Sequence, residues 1–322
     1  MTQHEQTSWD AFVKQHGPRS GRFLQSWQWG EFQKTLGRHV DRIYIDQDGD
    51  LAGVAQSIRT FLPIFGCYDY VPRGPIVKSS MHLADTMKKI SGECLFVRFD
   101  ALSDTTESLA ELHLHKSIDV QPAHTVINKL EVSEEELLKH MHSKTRYNIG
   151  LAEKKNLDIR MSDVSLDQVW SLFSQTSKRG AFRLHEHTYY ETMLTVLAHT
   201  SPRVFLAAAF YEDQPVAATI MLDFGETRTY LHGASAHEHR TLMAPSLLHW
   251  ELMKDAKRNG LKAYDWWGVS PPLEEQHPWA GISRFKRGFG GEEVEYPGTY
   301  DLVSKPVGYW IYQMVRKIRR LF

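Results

Sequence analysis

The sequence predicts an α+β protein in which one structural unit occurs twice. Two observations carry this. The 322 residues suit two domains at roughly 100–200 residues each. The second half reads helix pair, antiparallel strands, helix, strand, strand, and the first half repeats a looser version of that order. Hydrophobic residues at 42% and charged residues at 24% match ordinary globular usage, so the chain can fill two cores.

Taken in order, residues 22–36 have helical spacing. Phe23, Trp27, Phe32 and Leu36 share much of one face, with Gly37 as the stop. From Arg42 the pattern turns to strand, Asp-Gly turn, strand and further extended chain. Residues 81–91 are expected to be helical, and 95–102 and 124–132 to be strands. Ser133 and Glu136 form a capping box that opens a helix through Met141. A second helix follows over 144–156, weakened by Gly150, then a short strand at 157–163. Two helices at 164–180 and 188–200 lead into a three-stranded meander over 204–235, with turns near Asp213 and Gly225. Residues 244–260 predict a helix closed by Gly260, and 263–269 a buried strand. A loop rich in Pro and Gly, an extended stretch over 292–303 and a basic helix end the chain.

Composition excludes several classes. A formal net charge of -1 does not suit a general nucleic-acid coat. Two cysteines, Cys67 and Cys94, cannot build a disulfide framework or a Cys-rich zinc site, and they fit a reducing compartment. The polar N-terminus carries no apolar signal region, and no run is long enough to span a bilayer. His185-Glu186-His187 and His237-Glu238-His239 lack the i, i+4 spacing of a helical metal pair, so no metal is expected.

Three basic segments remain. Residues 139–160 hold six cations against two acids, either a solvated helix face or a phosphate-attracting surface. Arg284 to Gly291 sets three cations among aromatics and three glycines: either a decorated turn, or a loop whose backbone approaches a ligand. Residues 305–322 carry five cations and no acid. They read as a docked C-terminal helix or as a basic amphipathic helix on RNA or a membrane interface.

Residues 23–37, 70–77, 144–155, 229–260, 264–269 and 281–291 together resemble the FemABX family. Its members are aminoacyltransferases that build the peptidoglycan interpeptide bridge. The resemblance runs through most of the chain in the family's order, and it is to the compact, FemX-like members, because no heptad stretch long enough for a helical arm is present. It implies two tandem domains of the GCN5-related N-acetyltransferase (GNAT) type, each a mixed sheet flanked by helices. The first would span 1–132 plus 297–322, with the C-terminal helix packing back, and the second 133–296.

The resemblance also implies aminoacyl-tRNA as cosubstrate, no cofactor, and a UDP-linked or lipid-linked muropeptide precursor as acceptor. Lys34 would contact the acceptor's nucleotide diphosphate, and Asp100 would lie near its peptide end. Phe285 and Lys286 would stand at the reacting centre and the tRNA end. Arg183 and Tyr189 match the pair that binds the uridine diphosphate, and Tyr230 and His232 further contacts. Trp27, Arg73 and Arg146, within the matching motifs, complete the expected substrate set. Gly150 departs from the family pattern, in which Arg is common. The implied protein is a cytoplasmic monomer with peripheral contact at the inner membrane face.

Two other readings compete. One is an acyl-CoA N-acyltransferase on the same fold, whose phosphate-cradling loop would begin at Arg240; Met243 stands at its glycine position, and Pro245 has no N–H to donate. The other is a non-catalytic RNA- or membrane-binding module using the basic segments, with salt-dependent binding.

Overall fold

The computed structural model describes residues 3–63, 66–79, 83–90, 92–102, 114–180 and 183–318. These fall into two units, one of Met1–Ala123 with Glu295–Phe322, the other His124–Val294. Each has its own seven-stranded sheet.

The first unit begins with helix α1 (Gln3–His16), which the sequence reading passed over. Its buried Trp9, Phe12 and Val13 show the helical spacing that marks it. The single helix expected over 22–36 is instead a 3-10 turn, Arg22–Gln25, and helix α2 (Trp27–Thr35). Ser26 breaks the run: its hydroxyl donates to Phe23 O and accepts from Trp29 N, which caps α2. Strands β1 (His39–Gln47) and β2 (Asp50–Leu62) form a hairpin. Its turn places Asp48 at φ 52° and Gly49 at φ 88°, the geometry that favours Asp-Gly. Next come β3 (Gly66–Val71), β4 (Ile76–Val77), α3 (Leu83–Ile90), β5 (Phe96–Ala101) and β6 (Leu114–Lys116). The ends of the helix expected over 81–91 lie outside the described residues.

The second unit runs β7 (His124–Lys129), α4 (Glu134–His140), α5 (Ser143–Glu153), β8 (Asp158–Met161), α6 (Leu166–Gly180) and α7 (His187–Val196). The meander β9 (Arg203–Tyr211), β10 (Gln214–Phe224) and β11 (Thr227–Ser235) follows, then α8 (Ala244–Arg258), β12 (Ala263–Gly268), α9 (Ala280–Arg287) and β13 (Glu292–Glu295). Ser133 Oγ accepts the Glu136 N–H, as the capping box requires. The chain then returns to the first unit with β14 (Gly298–Val303) and α10 (Pro306–Ile318).

The two sheets are variations on one plan. In the first, β1, β2 and β3 form an antiparallel meander, β5 lies parallel to β3, and β14 pairs antiparallel to β5. In the second, β8 to β11 form the meander, β12 lies parallel to β11, and β7 pairs antiparallel to β12. The parallel pair needs a crossover, which α3 and α8 supply. The fold is therefore α+β, with two mixed sheets flanked by helices. The expected boundary after residue 132 is corrected to 123/124: β7 fills the place beside β12 and cannot belong to the first sheet.

Cys67 and Cys94 are disulfide-bonded, which corrects the expectation of two reduced thiols. The β3–β5 register explains their meeting. Asp69 pairs with Val97, and Leu95 N donates to Cys67 O, so Cys94 must arrive beside Cys67.

Arg98 and Asp301 face each other across β5 and β14 and form a bidentate pair at 2.8 and 2.9 Å, both side chains buried. The Asp301 carboxylate holds Arg98 above its usual range. Tyr309 of α10 donates to the same carboxylate at 3.1 Å. Arg98→Met is expected to leave Asp301 uncompensated and to cost about 3–5 kcal/mol, measured by urea unfolding against the unaltered chain.

Candidate active site

The site is built where two parallel strands part. β11 and β12 run in register through Thr227/Ala263, Arg228/Tyr264 and Thr229/Asp265. Beyond that both are irregular. Against β10, the ladder steps from Ile220/His232 to Met221/Tyr230, so Leu231 is an extra residue in β11. Against β7, it steps from Asp265/Ile127 to Gly268/Thr125, and Trp267 takes a left-handed φ of 56°. Such bulges bend a strand and re-aim its side chains. Thr125 Oγ1 and Trp267 N both donate to Asp265 Oδ1, which holds the bend.

Lys286 reaches this opening from α9. It is 7% exposed, its Nζ donates to Gly268 O at 2.7 Å, and it lies 5.0 Å over the Tyr230 ring. Burial pulls the ammonium down from its ordinary 10.5 to about 7, opposed by the negative charge of Asp265. Near neutrality this amine can therefore hold or release a proton, and two of its donors remain for an incoming group.

Aromatic side chains wall the amine. His249 of α8 sits 4.4 Å from Tyr230, 4.8 Å from Trp266 and 5.7 Å from Phe285, and hydrogen-bonds the Tyr264 hydroxyl at 2.7 Å. Burial, with the charge of Lys286, lowers His249 to about 3. His232 falls to about 4 through burial and then the charges of His185 and Lys286. Both rings stay neutral near neutrality, and burial alone raises Tyr230. The sequence reading missed His249. Its signal was a histidine on the apolar face of α8, between Leu248 and Leu252.

Of the expected site residues, Phe285, Lys286, Tyr230 and His232 converge here. Tyr189 joins through rings: it stacks on His185 at 4.0 Å and meets Tyr190 at 5.4 Å, and Tyr190 meets His232 at 5.2 Å. Arg183 is exposed just before α7. Arg146 donates to Leu138 O, Lys139 O and Met141 O, closing the C-terminus of α4. The three late glycines do not open the backbone to a ligand, contrary to that reading. A Cβ at Gly288 would meet Thr145 Oγ1 at 2.5 Å, at Gly290 His140 O at 2.8 Å, and at Gly291 Ile127 O at 2.8 Å, so they admit the chain's own neighbours.

The first unit holds the remaining four. Asp100 is buried and its oxygens accept from Tyr70 OH, Arg73 N and Thr299 Oγ1 at 2.6, 3.2 and 2.6 Å. Arg73 is buried too, stacked 4.0 Å over Tyr296 and donating to Pro122 O. Trp27 packs against Trp9 under the Arg42 guanidinium, and its backbone N–H donates to Asp10, whose carboxyl burial raises to about 6. Lys34 is half-exposed and paired with Glu31 at 3.0 Å.

The start of α8 answers the acyl-CoA reading. Met243 adopts φ 54°, the conformation glycine would favour, and Pro245 lies in the first turn without an N–H. Ala244 and Ser246 are buried there. A pyrophosphate would find few free donors. The histidine pairs diverge: His185 stacks on Tyr189 and His187 pairs with Asp167, while His237 bonds Arg240.

Two such units, each with its parallel pair flanked by antiparallel strands, define a tandem GNAT-like protein. The FemAB family model matches residues 97–209 and 204–317, and the chain belongs to that family. Lipid II:glycine glycyltransferase of Staphylococcus aureus is 23% identical, over 96% of this chain and 93% of its own length. In structure, the chain matches FemX with a TM-score of 0.84 at 20% identity, covering 95% of this chain and 98% of that one. A tandem GNAT protein from the clavulanic acid pathway matches at 0.56 and 12% identity, covering 92% and 93%.

Lys286 yields a pH signature of folding. Its folded value lies below its unfolded one, so from about 7 up to the ordinary 10.5 the unfolded chain binds the extra proton. This group's contribution to stability therefore rises with pH across that window. Lys286→Met is expected to flatten the rise, read from urea melts taken from neutral into alkaline buffer.

Proposed function

We propose that the chain is an aminoacyltransferase of peptidoglycan bridge synthesis. It moves an amino acid from aminoacyl-tRNA to the stem-peptide amine of a muropeptide precursor, UDP-linked or lipid-linked. Support comes from membership of the FemAB family, from relatives whose name specifies glycine transfer to lipid II, and from the buried amine of Lys286 at the parted strands. Lys286 carries the chemical part of this reading.

The reaction is amide formation from an ester. The neutral precursor amine attacks the aminoacyl carbonyl carbon, and a C–N bond forms as the carbonyl oxygen takes up negative charge. The tetrahedral adduct then collapses, the C–O bond to ribose breaks, and the ribose oxygen leaves with a proton; the proton lost by the amine balances it. Aligning amine and ester supplies much of the rate. A fixed cation in a poorly hydrated wall stabilises the oxyanion or the leaving oxygen, and Lys286 holds that charge. No cofactor enters, because the ester is already activated.

Arg183, Tyr189, Tyr230 and His232, all of the second unit, are assigned to the acceptor, with Arg183 for its phosphates. A cytoplasmic location follows for this reading, because charged tRNA and precursor are made there. The acyl-CoA alternative lacks a suitable phosphate cradle at Met243 and Pro245.

Incubation with a mixture of charged tRNAs and each precursor should add one amino-acid residue mass to one precursor; deacylated tRNA or acetyl-CoA should add nothing. Lys286→Met, checked for folding by circular dichroism, is expected to slow single-turnover transfer about 100- to 1,000-fold. Full turnover in that variant would refute the assignment of Lys286.

A further inference from the structure

The last helix has two faces of unlike character. Tyr309 is buried against Phe96 at 5.1 Å, and Tyr312 lies 5.0 Å from the same ring. This face docks α10 on its own sheet. The other face carries Val307, Trp310, Met314 and Ile318, spaced i, i+3, i+7 and i+11, so they share one arc of the helix. They are 75, 64, 43 and 51% exposed. Scattered exposed apolar residues are ordinary, but a continuous stripe on one helix calls for an occupant.

The charges around the stripe identify it. Arg316 and Lys317 stand in the last turn, and α10 contains no acid. A groove of about 620 Å³ opens beside the stripe, lined by Trp310 and Met314 on one side, Ile118 on another, and by Arg316 and Lys317. Lys116 also lines it, with its ammonium engaged by Asp119 and Pro297 O. Apolar residues with a Trp among them and cations at the margin fit the boundary between acyl chains and anionic headgroups. A nucleic-acid backbone would leave four apolar side chains without apolar contact.

We propose that the exposed face of α10 is a docking surface for an anionic phospholipid membrane. Val307, Trp310, Met314 and Ile318 enter the acyl boundary while Arg316 and Lys317 take lipid phosphates. The inference rests on the first unit alone and does not depend on the transfer reaction.

The test is flotation of the full chain with vesicles of equimolar phosphatidylglycerol and phosphatidylcholine, against vesicles of phosphatidylcholine alone. The anionic vesicles should carry the protein, less so in high salt. Trp310→Ser with Met314→Ser, and separately Arg316→Gln with Lys317→Gln, should each lower the partition coefficient about tenfold or more. Thermal melts establish that both variants fold, and turnover on a soluble UDP-linked precursor should be unchanged if the proposed reaction holds. Failure of transfer thus leaves the membrane result standing, and the reverse. The proposal is overturned if the unaltered chain does not float or if both variants bind as it does. It is equally overturned if the apolar variant instead abolishes a dimer seen by light scattering, or if the cation variant loses affinity for RNA and keeps it for vesicles.

Discussion

The parting of β11 from β12 after Thr229 and Asp265 is the constraint on which the second unit's chemistry depends. Two parallel strands in register satisfy each other's backbone groups. Once they separate, Gly268 O needs another donor, and Lys286 provides it at 2.7 Å. One contact thus does two jobs. It satisfies a carbonyl beyond the end of a ladder, and it draws an ammonium into a wall of aromatic rings. The depressed basicity of that ammonium follows from burial, and Asp265, which braces the bend in β12, limits how far it falls.

Neighbouring rings follow from the same geometry. His249 and His232 are held neutral partly because Lys286 is near, so the pocket gathers one cation and suppresses two others. The charge available there is defined, and it lies beside polarisable faces of Tyr230 and Trp266. In the first unit the comparable parallel pair, β3 and β5, carries instead a buried carboxylate, Asp100, saturated by Tyr70, Arg73 and Thr299. One plan serves two local chemistries, because the side chains at the ends of the parallel strands differ.

Periodic segments were legible. The meander over 204–235, the helix closed by Gly260 and the Ser133 cap all lie where their patterns place them. Less was legible where an element is short or its stop is polar. Ser26 divides the helix at 22–36, because a hydroxyl that caps one turn ends another. Helix α9 hid in a loop rich in Pro and Gly. Of the two readings open for Gly288, Gly290 and Gly291, a turn or room for a ligand, the second fails because Thr145 Oγ1 and the carbonyls of His140 and Ile127 fill that room. Phe285, Lys286, Tyr230 and His232 were named through family motifs, and the structure brings them together. His249 carried no motif, and only packing identifies it.

By itself, the sequence determined the α+β class, the repeated order of elements and the residue types available for chemistry, because periodicity and capping are local. Tertiary structure alone decided three things. It assigned β7 to the second sheet, since a strand's partner is chosen across the chain and not along it. It joined Cys67 to Cys94, through the register of two parallel strands. And it lowered the basicity of Lys286, since a pKa answers to burial and neighbouring charge, which exist only once distant segments have met.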